Sequence, residues 1–572
     1  MRILKSLFLS AFVALFLASC ASTQKVLSLP NFDAPIKITP KQSVLSDEEE
    51  KFWSHADLMK DSVVGMSLAK AYQFLEGKKS IPVIVAIADS GVDIEHEDLK
   101  DVLWTNTKEI KGNSIDDDKN GYVDDIHGWN FLGNASGKII NADQLEITRL
   151  VKKGREKFGD KKAEDISEND KAAFEAYQKL ELEYRLTISQ KEFEIQEMEQ
   201  TQNNLERLKA VFEDVRRFAG KDNLRINDLD SLKPASLLMI TQIETIKKVL
   251  ENGATEEDLI GYLKEVKDYK GELLKAMKGY DLNLNDRANL GDNLYDINDK
   301  FYGNNNVIGN KDLEKHGTHV AGIVAASRNN NKGAKGVANT VKIMTVRVVP
   351  DGDEHDKDVA LGIRYAVDNG AKIINTSFGK RFSPNKEWVF DAIAYAAKKD
   401  VLIVNAAGND SKNIDIQATY PNDSKDLKTE FADNVITIGA SSLYYNEELV
   451  ATFSNYGKIN VDIFAPGVDI YSTVPKNEYE PLSGTSMASP STSGVAALIR
   501  AYYPNLSAKE VKYILMNSGV KIDFKVIKPG SQTEENPTGE LVPFEDLSAS
   551  GRLVNAYNAL QLADYLSRKN SN

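Results

Sequence analysis

Residues 81–88, Ile-Pro-Val-Ile-Val-Ala-Ile-Ala, form an unbroken apolar run that ends in Asp89-Ser90-Gly91. A strand apolar on both faces has no solvent side, so it belongs inside a parallel sheet covered twice. Four more runs of this kind follow at Val341–Val349, Lys372–Asn375, Val401–Asn405 and Val435–Ile438. Helical stretches lie between them at 316–326, 357–369 and 386–399. Helices at 489–502, rich in small residues, and at 507–517 complete the series. Strand and helix in alternation imply an α/β chain: a parallel sheet in a three-layer arrangement with helices on both faces.

Residues 141–285 break this pattern. They hold 55 charged residues in 145 positions, against 101 in the remaining 427, and a single proline, Pro234. Phe174, Tyr177, Tyr184, Ile188, Ile195, Met198, Leu205 and Phe212 fill eight of twelve a and d positions of a heptad; Glu181, Lys191, Gln202 and Lys209 are the misses. The spacing predicts a long helix over about 167–218, with Ser167 and Asp170 at its start. Two more follow at 235–251 and 255–278, the second opened by Thr255 and Asp258. The segment therefore reads as an inserted all-α hairpin or small bundle with coiled-coil character. It is either an arm that docks a protein partner or gates substrate, or a solvated decoration that packs on itself.

The N-terminus is an address. Arg2 and Lys5 precede a 13-residue apolar stretch, Leu7–Ser19, which is short for a bilayer span, and Cys20 follows as the chain's one cysteine. Leu17-Ala18-Ser19-Cys20 resembles a bacterial lipobox, which implies lipidation at Cys20 and an exported lipoprotein held on the cell envelope; the plainer reading is a secretory signal. A lone cysteine leaves no intrachain disulfide and no cysteine zinc site. With 71 basic and 85 acidic residues the net charge is −14, and no long basic run favours nucleic acid as a partner. The expected organisation is a signal at 1–20, a polar tether at 21–50, a first catalytic part at 51–140, the helical insertion at 141–285 and a second catalytic part at 286–566.

Three short segments carry chemistry. Asp89-Ser90-Gly91 closes a buried strand, and strand ends in parallel sheets are where sites sit. His316-Gly317-Thr318-His319 and Gly484-Thr485-Ser486-Met487-Ala488-Ser489-Pro490 each open a helix. A serine becomes a useful nucleophile when a base takes its proton, and a histidine serves near neutral pH if a carboxylate orients it. Singly, Asp89 reads as a turn former and Ser486 as a helix cap. The two histidines lack the intervening glutamate of a zincin site.

Together, in the order Asp, His, Ser, these segments resemble the subtilisin-like serine peptidases, the subtilases. Ala406-Ala407-Gly408-Asn409 and Asn375-Thr376-Ser377-Phe378-Gly379 match two further family elements. The resemblance covers about 55–140 and 286–565. It implies a subtilisin-like fold, Ser486 as nucleophile, His316 as base, Asp89 as its orienting group and Asn409 as a donor to the oxyanion, with His319 structural. It also implies that Ser377, Phe378 and Gly379 pair with an extended substrate, beside Ala407 and Gly408.

Residues 115–125, Ile-Asp-Asp-Asp-Lys-Asn-Gly-Tyr-Val-Asp-Asp, place Asp116, Asp118, Asn120 and Asp124 two and four residues apart around Gly121. Hard oxygens at such spacing fit calcium; the alternative is an Asx-rich turn. His127 at position twelve, where an EF-hand has glutamate, argues against a full EF-hand. The family resemblance implies a second calcium site at Asp98 and Asn330. The chain departs from the family pattern in three ways. About 35 residues separate Cys20 from the catalytic part, short for a folding pro-domain. Asp89 and His316 lie 227 positions apart, so the insertion begins and ends near the site. Ser491 stands where a histidine is common.

The leading expectation is thus an envelope-anchored serine endopeptidase acting on protein or peptide substrates through an acyl-enzyme. Broad degradation and dedicated processing of one partner both remain open. The rival is a non-proteolytic or partner-activated scaffold whose insert is an interaction module.

Overall fold

The computed structural model describes residues 31–33, 41, 44–313 and 315–570. Cys20 and the signal expected over 1–20 lie outside the described residues, as does most of the expected tether. No helix among the described residues is long and apolar enough to cross a membrane.

Eleven strands build or flank the site: β1 (Val83–Asp89), β2 (Gly128–Asn130), β3 (Val341–Arg347), β4 (Ile373–Thr376), β5 (Leu402–Ala406), β6 (Val435–Ser441), β7 (Ile463–Pro466), β8 (Ile470–Val474), β9 (Glu478–Leu482), β10 (Val520–Lys521) and β11 (Arg552–Leu553). Nine of them form one sheet in the order β10-β11-β7-β6-β5-β4-β1-β3-β2. Every neighbouring pair is parallel except β10 with β11. β1 is central, with Val85 facing Ile343 on one side and Ile373 on the other.

The alternation of side chains along β1 sorts the core into two layers. Val83, Val85 and Ile87 join the cluster under α5 (His316–Ala325) and α8 (Thr485–Tyr502), with α9 (Ala508–Ser518) and α10 (Ala556–Asn570) further out. Ala86 and Ala88 join the cluster under α6 (Asp356–Asp368) and α7 (Lys386–Lys398) on the other face. This is the subtilisin-like three-layer arrangement. α8 runs through the middle, buried along nearly its whole length. Its small residues are what permit that: a Cβ on Gly494 would stand 2.4 Å from Val337 Cβ.

The insertion holds four long helices, α1 (Glu146–Phe158), α2 (Lys171–Ala219), α3 (Leu237–Glu251) and α4 (Glu256–Lys278), and a short one at Ile226–Asp230. α2 begins at Lys171 rather than near 167. Ser167 instead precedes a separate 3-10 turn and donates to the Asp170 carboxylate at 2.8 Å. Thr255 and Asp258 form a reciprocal capping box at the head of α4. The heptad is not one continuous seam. Phe174 packs with Phe158 of α1 and with Ile166, and Tyr184 with Ile147 and Val151 of α1. Phe212 and Val215 pack against α3 and Leu259 of α4. Glu181, a miss in the heptad, is buried because Arg155 of α1 binds it through two nitrogens, at 2.7 and 3.0 Å.

Candidate active site

The C-terminal end of β1 delivers Asp89, and the first position of α5 delivers His316. His316 Nδ1 donates to Asp89 Oδ1 at 2.7 Å, and the Ser90 N–H donates to the same oxygen at 2.8 Å. Asp89 is 1% exposed and the His316 side chain 39%, so the pair has a dry carboxylate end and a wet imidazole end. Burial works against the imidazolium, but the Asp89 carboxylate outweighs it and the His316 pKa is raised. Lys275, at the end of α4, pulls the other way. Arg347, buried at the end of β3, clamps the loop after Asp89: its Nε donates to the Ser90 carbonyl at 2.6 Å and its Nη2 to the Ile140 carbonyl at 2.9 Å. His319 faces the core, with Nε2 against the Glu480 carbonyl at 3.0 Å, and burial holds its pKa down at about 3.

Ser486 stands in the first turn of α8, which begins four residues before the expected 489. Gly484 precedes the helix, and Pro490 lies inside it. Proline has no N–H to give the carbonyl four residues back. That carbonyl belongs to Ser486, and it accepts from Ser377 Oγ at 2.9 Å instead. Ser486 Oγ in turn donates to the Ser377 carbonyl at 3.1 Å, so the hydroxyl is parked on β4's end rather than on His316. The Ser486 N–H, in the first helical turn, has no helical carbonyl to serve and is open to an incoming oxygen.

Asn409 follows β5. Its Oδ1 accepts from the Thr485 N–H at 2.9 Å and from Thr485 Oγ1 at 2.8 Å. This fixes the amide with Nδ2 at the head of α8, 3.4 Å from where a Cβ on Gly484 would stand. Thr485 Oγ1 also accepts from the Gly408 N–H at 3.1 Å, tying the two loops together. Gly408 has φ +100° and its missing Cβ would stand 2.4 Å from Asn455 Nδ2, so only glycine suits the turn. Asn455 braces the same loop, accepting from the Asp410 and Lys412 N–H groups and donating to the Ala407 carbonyl. Thr485, Asn455 and Arg347 thus hold the loops at the strand ends in place. Thr485 stood inside a quoted motif, whereas nothing in sequence marks the other two.

A cleft of about 550 Å³ opens at Ser486 and Asn409. Phe378 to Phe382, Gly352 to Glu354, Ala406, Gly408 and Thr419 line it. Of the expected substrate residues, Phe378, Gly379 and Gly408 line it. Ser377 and Ala407 do not; they lie behind, Ser377 holding Ser486 and Ala407 in the core. Leu145, Ile147, Glu183, Thr187 and Tyr280 of the insertion line the cleft as well. A larger hollow of about 810 Å³ beside Trp53, Tyr445 and Tyr471 contains none of these groups.

Beneath the cleft Lys380 is buried among Glu146, Asp356 and the Glu354 carbonyl, at 2.8, 2.9 and 2.7 Å. Burial raises the Glu354 carboxyl to about 8, only partly offset by Lys380. Burial would raise Glu146 too, but Arg149 and Lys380 override it and hold it at about 2.

The acidic loop assembles differently from its spacing. Carboxylate oxygens of Glu109, Asp116 and Asp118 lie within 4.8 Å of one another. Asp124 turns away, its two oxygens taken by the Gly112 and Ser114 N–H groups at 2.7 and 3.0 Å. Asn120 Oδ1 accepts from the Tyr122 N–H at 2.8 Å, and its Nδ2 donates to Asp125. Glu109, ahead of the loop, was not foreseen; it accepts from the Asp118 and Asp124 N–H groups, both at 3.0 Å. Three convergent carboxylates with no cation paired to them among the described residues are a donor set that suits calcium. At the second expected site Asp98 and Asn330 do meet, but the Asn330 Nδ2 donates to Asp98, placing a donor where a shared cation needs an oxygen.

A parallel sheet with an Asp-His pair at a central strand end, and a serine at the head of a buried helix, defines a subtilisin-like fold. The chain belongs to the subtilase family, whose model matches residues 81–540. It is 37% identical over 275 residues to the cell wall-associated protease of Bacillus subtilis, covering 47% of this chain and 28% of that protein. It is 42% identical over 190 residues to the thermophilic serine proteinase of a Bacillus species, covering 33% and 43%. With subtilisin DY of Bacillus licheniformis it shares 38% identity over 215 residues, covering 37% of this chain and 73% of the relative. The match thus spans less than half the length of the first two.

Proposed function

We propose that this chain is a serine endopeptidase working through Ser486, His316 and Asp89. The observation that carries the reading is the 2.7 Å Asp89–His316 pair, its imidazole partly in solvent, together with a cleft lined by Ser486 and Asn409. His316 Nε2 takes the Ser486 proton once the hydroxyl leaves the Ser377 carbonyl; such contacts commonly tighten only with substrate bound. Oγ adds to the peptide carbonyl, and Asn409 Nδ2 and the Ser486 N–H hold the oxyanion. The C–N bond breaks as His316 returns the proton to the amine. Water then hydrolyses the ester by the same route.

Membership of the subtilase family and relatives named as proteases support this reading over a non-proteolytic scaffold. Calcium bound by Glu109, Asp116 and Asp118 would supply a structural cross-link and no chemistry. A lipid at Cys20, as the lipobox resemblance implies, would hold the protein on the envelope.

The test is a fluorophosphonate probe at pH 8 on the protein without its lipid, with calcium and with chelator, the adduct mapped by mass spectrometry. Labelling at Ser486, absent from Ser486→Ala, is the expected result. A folded, calcium-loaded protein that stays unlabelled sinks the reading.

A further inference from the structure

Ser486 and residues 378–382 line one cleft, and His316 is not among the described residues that line it. His316 must reach the leaving amine, so the leaving side lies toward it and the cleft receives the acyl side of the substrate. On that side the cleft meets the insertion. Leu145, Ile147 and Tyr280 cluster with Phe382, and Glu183 of α2 pairs with Arg381 at the rim.

This wall is fixed at its base. The Leu145 N–H and Thr148 Oγ1 both donate to the Gly279 carbonyl, at 2.9 and 2.8 Å. The Tyr184 hydroxyl donates to the Tyr280 carbonyl at 2.6 Å, and Glu146 is paired with buried Lys380. A feature so pinned is a wall and not a lid.

Resting on the peptidase reading, we infer that the helical insertion is a stop for the acyl side of the substrate, with the Glu183–Arg381 pair as its bar. An extended chain needs at least about 3.3 Å of cleft per residue. Residues added ahead of the stop have no groove to occupy. The substrate class is therefore short peptides, and polypeptides cut a few residues from their N-terminus.

The test uses two quenched fluorescent peptides with one scissile sequence, one with a tetrapeptide and one with an octapeptide on the acyl side. The parent protein is expected to favour the shorter in kcat/KM. Glu183→Ala should raise the long-to-short ratio about fivefold, equivalent to ~1 kcal/mol, the upper range for an exposed ion pair. The charge swap Glu183→Arg with Arg381→Glu should restore the parental ratio. Glu197→Ala, exposed further along α2, should not move it. Equal rates on both peptides, or a ratio unmoved in Glu183→Ala while Ser486 still labels, overturns the stop and leaves the peptidase standing. A protein whose Ser486 does not label takes both readings down.

Discussion

The sheet and the helical arm are built on opposite terms. In the sheet, strands such as β1 and β6 are buried on both faces, and α8 is buried almost end to end. α2 has 49 residues, roughly 70 Å at 1.5 Å each, yet buries only Phe174, Glu181, Tyr184, Phe212 and Val215. Where the two regions meet, buried charge is added to the apolar contact of Leu145, Ile147 and Tyr280 with Phe382. Arg287, just past the arm, binds Asp358 through two nitrogens at 2.5 and 2.8 Å and Asp292 at 3.0 Å. Lys357 adds a second bond to Asp292, at 3.0 Å. Lys380 holds Glu146 and Asp356. A buried ion pair adds little net stability over an apolar pair, but breaking one is costly and its geometry is strict. The arm is thus attached by contacts that fix direction more than they add affinity.

The sharpest way to break this contrast is at the strand end. Asp89→Asn should lower kcat about 10⁴-fold, because the imidazole loses its tautomer and its counter-charge. The base works only when deprotonated, so activity falls as pH drops through the His316 pKa. The Asp89 carboxylate is what raises that pKa. In the variant the residual activity should therefore persist to lower pH, read from the acid limb of kcat/KM. Denaturant midpoints and arm helicity should hardly change; a collapse of either would mean that the two regions are not separable.

A smaller effect is expected at the junction. Arg287→Met strands Asp358, which has no exposure, and should cost about 3–5 kcal/mol in urea unfolding. A loss below about 1 kcal/mol would mean that apolar contact, not charge, seats the arm. The smallest effect belongs to the arm itself. Glu181→Gln weakens its grip on Arg155 and Arg185, whose side chains are 40% and 71% exposed, and should cost about 1 kcal/mol or less. A much larger cost, seen by thermal melting, would make the arm as tightly built as the sheet.

What the sequence made legible follows the same division. Runs of β-branched residues located β1, β3, β4, β5 and β6 within a few residues, because doubly buried strands tolerate little else. Asp89 with His316, and Ser486 with Asn409, could be paired from motifs whose local structure is short-ranged. Contacts set by tertiary approach were not legible. Glu109 precedes the acidic loop and enters it only through chain folding, while Asp124 has the right spacing and the wrong direction. Glu181 broke the heptad because its partner, Arg155, lies on another helix. α8 begins at Thr485, ahead of Pro490, because Ser377 serves the Ser486 carbonyl that the proline cannot, a partner distant in sequence. The walls given by Glu183 and Tyr280 follow from where the arm's two ends return, a fact with no local signature.

Those two ends have a consequence for how such a chain can be varied. The insertion leaves the sheet beside Asp351, where Asn141 accepts its N–H at 2.7 Å, and its first helix is tied to its last by the Leu145–Gly279 bond. Departure and return therefore share one doorway. Whatever lies between can be exchanged, lengthened or cut back to a short turn without stretching the strands beneath. The arm is a module whose two junctions, far apart in the gene, meet at one place in the fold.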